Sequence, residues 1–129
     1  MSSAVQAVLS DSGPIDLLHQ YQQHQIETAI TRFLGGPPDA SRVDTYQRAS
    51  PVNYIAHTMP PVMLIYGAAD EQVGVETADR FVESLRNAGV KQIHYHRLGS
   101  AGHCPYSLVR VPWLVPAVND FFVRALKNP

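Results

Sequence analysis

The sequence predicts an α/β fold, a short, mainly parallel sheet with flanking helices. Three observations carry that prediction. Residues 4–10 (AVQAVLS), 61–67 (PVMLIYG) and 92–99 (QIHYHRLG) are rich in β-branched and apolar side chains, and each stretch ends in a turn signal, as strands do. The second stretch is an unbroken apolar run from Val62 to Tyr66, the pattern of a strand covered on both faces. Between the second and third stretches, Ala78, Phe81, Val82 and Leu85 recur at helical spacing with charges on the opposite face, which makes a β–α–β unit with parallel strands.

In chain order, the first strand is expected over residues 4–10. The segment DLLHQYQQHQIETAITRFLGG follows and reads as one helix from Asp16 to about Leu34. Leu17, Leu18, Tyr21, Ile26, Ile30 and Phe33 are available to bury on it, and Gly35-Gly36 stop it. GGPPDAS is a loop, and SPVNYI a turn with an extended approach to the second strand, because a residue before proline is pushed away from helical geometry. The helix between the second and third strands ends at Gly89. The last helix starts close to Val115, since Pro116 is tolerated only in a first turn; Leu114, Val118, Phe121, Phe122 and Ala125 form its apolar stripe.

The length of 129 residues fits a single domain over residues 1–129, as typical domains run roughly 100–200 residues. With 45% hydrophobic and 16% charged residues, the composition is that of a folded globular chain. The net charge of −1, with basic residues scattered singly, gives no stripe to neutralise phosphates or an anionic membrane face, so neither nucleic acid nor membrane is an expected partner. No apolar run approaches the roughly 18 residues of a membrane span, and the N-terminus has no basic region of the secretory type. The single cysteine, Cys104, excludes an intrachain disulfide and suits a reducing compartment, which makes the cytoplasm the default location.

The second strand empties into YGAADEQVGVET and the third into LGSAGHCPYS, so Asp70 and His103 fall in loops at the carboxyl ends of neighbouring strands. Ligands and catalytic groups of open parallel sheets gather at that end. A carboxylate that accepts the imidazole Nδ1–H fixes the tautomer and stabilises the imidazolium formed when Nε2 takes a proton from a nucleophile. An aspartate and a histidine in such loops also occur without chemistry, and their spacing leaves both readings open. His94 and His96 alternate on one face of the third strand, but with no third ligand at a suitable spacing they read as a polar sheet face; no metal is expected. His19 and His24 are off the spacing that aligns two ligands on a helix. GGPPD lacks the ending of a phosphate-binding loop, so no nucleotide or other cofactor is expected.

The wording of these loops, SPVNYI…PPVMLIYGAADEQVGVETADRFVESLRNAGVKQIHYHRLGSAGHCPY, resembles the C-terminal half of α/β-hydrolases of the esterase and prolyl-oligopeptidase-like branch. Members of that branch read approximately SP…PP-hydrophobic-HGxxDxxVP…GAGH in this region. VQAVLSDSGPIDLL likewise looks like the strand and turn that follow the nucleophile helix in those enzymes, so the resemblance covers nearly the whole chain. It implies carboxylic ester hydrolysis with a small ester as substrate, Asp70 as triad acid and His103 as triad base. Tyr66 stands where the family often has histidine, and Gly74 replaces the proline of VP, which is expected to loosen the loop carrying Asp70.

The family presents its serine in a G-x-S-x-G elbow upstream of both partners, and this sequence contains no such elbow. The resemblance implies that the chain begins just after it, as a truncated form, a split-gene product or a natural remnant. Ser12, in LSDSGP, is the only candidate for a substitute nucleophile worth naming, and Gly13-Pro14 make a turn there instead of opening a helix. Ser100 reads as a turn residue and Cys104 as a half-buried thiol. Without an upstream neighbour the first strand would be an open edge, which invites a homodimer through residues 4–10. Two other classes remain open: a non-catalytic remnant used for binding or assembly, and a flavodoxin-like ligand-binding domain.

Overall fold

The computed structural model describes residues 5–127. It holds one three-stranded parallel sheet in the order β1-β2-β3, built from β1 (Val8–Asp11), β2 (Val62–Gly67) and β3 (Ile93–Leu98). The register pairs Val8 with Val62 and Gly67 with Leu98 at the two ends of the ladders. Three helices, α1 (Leu17–Gln22), α2 (Glu27–Leu34) and α3 (Val43–Ala49), lie between β1 and β2. Helix α4 (Val75–Asn87) connects β2 to β3, and α5 (Val115–Lys127) closes the chain.

β2 is the centre of the core, and every residue in it is buried. Its alternation divides two layers: Val62, Leu64 and Tyr66 cluster with Phe81, Val82 and Leu85 of α4, whereas Met63 and Ile65 cluster with Val118 and Phe121 of α5. Burying each of Phe81, Val82 and Leu85 contributes about 1.5–3 kcal/mol, enough to fix α4 to its face without strong helix propensity. Leu17, Ile30 and Tyr46 make a separate small core for α1 to α3. No helix among the described residues is long and apolar enough to cross a membrane.

The α/β architecture, the parallel β–α–β unit and the start of the last helix at Val115 agree with the sequence reading. Several boundaries do not. β1 occupies Val8–Asp11 and not residues 4–10, of which residue 4 lies outside the described residues. The ladder opens with Val8 N–H donating to the Pro61 carbonyl, and Pro60 and Pro61 have no N–H with which to extend the pairing downward. The single helix expected from Asp16 to Leu34 is two helices: Asp16 lies just outside α1 and caps it, and His24 and Ile26 adopt left-handed φ of 57° and 45° and break the run. The break lets Gln25 turn away and accept the Gly74 N–H at 3.2 Å. Phe33, expected to bury, is 78% exposed. Between the loop expected at residues 35–41 and the turn expected at residues 50–55, where the sequence marks no element, lies α3, and residues 51–54 form a 3-10 turn.

Candidate active site

Asp70, His103 and the Ser12 turn meet beyond the carboxyl ends of the three strands. His103 donates Nδ1–H to Asp70 Oδ2 at 2.9 Å. The other Asp70 oxygen accepts the Gln72 and Val73 N–H groups, each at 2.9 Å. The Asp70 side chain is fully buried, while that of His103 is 29% exposed, so the carboxylate is shielded and the imidazole reaches the surface. The two loops are also tied by backbone, with Ala69 N–H donating to the Ala101 carbonyl at 3.0 Å.

Burial acts to raise the Asp70 pKa, but the Val73 N–H, the His103 ring, the Gln72 N–H and the Ser12 hydroxyl together hold it below the ordinary carboxylate value. The ionised form is therefore favoured by folding. Its contribution is complete above the unfolded value of about 3.9 and is lost as pH falls through the lower folded value. The stability advantage of the natural chain over Asp70→Asn should shrink as urea unfolding is repeated from about pH 5 to below pH 3. A constant difference over that range would contradict the depressed pKa.

Gly74 does not leave the acid loop loose, contrary to the sequence expectation. Val73 is buried, both N–H groups after Glu71 are taken by Asp70, and Gly74 itself, at φ −58°, is held by Gln25. Tyr66 is a buried phenol that donates to the Gly13 carbonyl and bonds the Ser10 hydroxyl at 2.9 Å. Burial pushes its pKa up to about 12, so it stays a neutral brace for the β1 turn.

Ser12 is 2% exposed and has a left-handed φ of 52°. Its hydroxyl accepts the Cys104 N–H at 3.0 Å, so the oxygen is engaged inside the protein. The Cys104 thiol is half-buried, and burial, with the Asp11 and Asp70 charges, raises its pKa away from thiolate chemistry. His94 packs edge-on against Phe121 with centroids 5.3 Å apart, and burial, then His94, lowers the His96 pKa. The sheet face bearing them is thus partly roofed by α5. No metal-binding group of three ligands occurs among the described residues. A concavity of 650 Å³ lined by Gln6, Pro60, Pro61 and Gln92 opens at the amino ends of the strands, away from Asp70 and His103. Sequence reasoning missed Asp11, which contacts the segment after His103; an acid at a strand's carboxyl end was the available signal.

A parallel sheet layered by helices, with an aspartate–histidine pair in the loops after adjacent strands, is the architecture of an α/β-hydrolase. The chain belongs to the BD-FAE family, whose model matches residues 1–85, a range that includes Asp70 and stops short of His103. It is 37% identical over 60 residues to esterase LipC of Mycobacterium tuberculosis, an alignment covering 46% of this chain and 15% of that protein. It is 30% identical over 74 residues to a probable carboxylic ester hydrolase, LipM, of the same organism, covering 57% of this chain and 17% of the other. The matched segments thus span about one sixth of these relatives. Among solved structures, the bifunctional GH43-CE protein of Bacteroides eggerthii superposes with a TM-score of 0.76 at 26% identity, over 96% of this chain and 17% of that one. The propionate-bound thermophilic esterase Est2 of Thermogutta terrifontis superposes at 0.70 and 21% identity, over 96% of this chain and 44% of that one.

Proposed function

We propose that this chain supplies the acid and base of a serine esterase acting on carboxylic esters, with the nucleophilic serine on a segment outside this sequence. The observation that carries the reading is the 2.9 Å bond from His103 Nδ1–H to a buried Asp70 carboxylate at the carboxyl end of the sheet. With Nδ1 committed to Asp70, the Nε2 lone pair is the free one. It takes the proton as the serine oxygen bonds to the ester carbonyl carbon, then gives that proton to the departing alcohol. Water repeats the sequence on the acyl-enzyme and releases the carboxylic acid. The esterase names of LipC and of the Thermogutta protein support the same reaction class.

In this reading the outer edge of β1 receives the strand next to the serine-bearing elbow, and a second copy of the chain would compete for that edge. Treatment with a fluorophosphonate probe, followed by intact mass, tests the assignment. The chain alone should remain unmodified, because Ser12 is buried and its oxygen already accepts from Cys104. Mixing with a polypeptide that carries G-x-S-x-G should give one adduct on that partner, dependent on His103. An adduct on Ser12 would move the nucleophile into this chain, and no adduct in the mixture would favour a binding or assembly role.

A further inference from the structure

Asp11 and Ser12 end β1 and reach across to the segment that follows His103. The Asp11 carboxylate accepts the Tyr106 N–H at 3.3 Å, the Ser107 N–H at 2.7 Å and the Ser107 hydroxyl. Its backbone carbonyl receives the Cys104 thiol at 3.5 Å, and the Ser12 hydroxyl receives the Cys104 N–H. Residues 104 to 107 are therefore suspended from two consecutive residues at the end of β1.

Backbone geometry shows what the suspension does. Cys104, the residue after His103, sits at φ 49°, a left-handed conformation that is unfavourable for a residue with a side chain. Such strain persists only where the surroundings over-determine it. Asp11 and Ser12 bond the residue's N–H and thiol and the next two N–H groups along the chain, while the Leu108 N–H donates to the Cys104 carbonyl at 3.1 Å from within the segment.

We propose that Asp11, seconded by Ser12, is the positioning residue for His103: it holds residues 104–107 so that the imidazole meets Asp70, without touching the reacting atoms. The proposal rests on the reading of His103 as the base, and its test needs no turnover. The chain is labelled with ¹⁵N and two quantities are read by NMR: the His103 Nδ1–H resonance, and the exchange rates of the Tyr106 and Ser107 amides. Asp11→Ala should abolish the His103 resonance and accelerate both amides at least about tenfold, while the Met63, Leu64 and Ile65 amides of β2 keep their rates. Asp11→Asn keeps the shape but can present an acceptor through only one atom, so it should give a partial loss. Asp44→Asn, at an exposed pair with Arg48, should leave both readouts unchanged. A natural-like His103 resonance in Asp11→Ala would overturn the proposal, as would equal acceleration of the β2 amides, which would mark a general structural role. If Asp11→Ala does not fold, Asp11→Asn carries the comparison: a weakened His103 resonance supports the clamp and an unchanged one overturns it. Failure of the clamp would leave the esterase assignment standing, and failure of the probe experiment would leave the clamp measurable.

Discussion

Replacing His103 with alanine should lower kcat/KM for a short-chain ester by at least about four orders of magnitude in the enzyme completed by a serine-bearing segment. The size follows from the loss of both proton transfers: without an imidazole at that place, the serine hydroxyl has no base to receive its proton and the departing alkoxide has no acid to protonate it. Asp70→Asn should cost about as much by another route. An amide nitrogen facing Nδ1 donates where the carboxylate accepted, which favours the tautomer with the proton on Nε2 and removes the lone pair the reaction needs. The two variants separate in stability. His103→Ala leaves Asp70 its two backbone donors and the Ser12 hydroxyl and removes a partly exposed ring, so unfolding free energy should fall by about 1–3 kcal/mol, the cost of losing one donor to a buried carboxylate. Hydrolysis within tenfold of the unaltered enzyme, followed with a chromogenic acetate ester, would remove His103 from the reaction.

The elements legible in the sequence are those whose pattern is continuous and local. β2 announces itself as an apolar run, and α4 and α5 by stripes whose members all reach the core or its margin. Strand order places Asp70 and His103 in neighbouring loops at the carboxyl ends of β2 and β3, whereas their roles as acid and base come from the resemblance to esterase loops and not from spacing. What escaped depends on partners far along the chain. The break between α1 and α2 lies at His24 and Ile26 and lets Gln25 meet Gly74, 49 residues later, and nothing in DLLHQYQQHQIETAITRFL marks it. α3 buries only Tyr46, so its seven residues carry no stripe to recognise. Asp11 looks like one more turn acid until residues 95 and 96 positions later are folded onto it.

The largest effect on stability should come from Gly67→Ala. A Cβ at Gly67 would lie 2.0 Å from the Ala101 carbonyl oxygen and 2.4 Å from that of Gly102, well inside contact distance and against backbone on both counts. Neither side can yield cheaply. Gly67 is paired with Leu98 at the end of the β2–β3 ladder, and the next residue, Ala68, donates its N–H to the Leu98 carbonyl at 2.8 Å. The loop must move instead, and it is the loop that carries His103. The substitution should therefore cost about 3 kcal/mol or more in urea unfolding and, in whatever fraction remains folded, displace the imidazole from Asp70. Gly74→Ala is the matched control: the atoms a Cβ would meet there belong to the end of the exposed Glu76 side chain, which can swing away, so its cost should stay below about 1 kcal/mol. Equal costs at the two positions would mean that the base loop is free to retreat from β2. In that case the close approach at Gly67 would play no part beside Asp11 in holding His103 at Asp70.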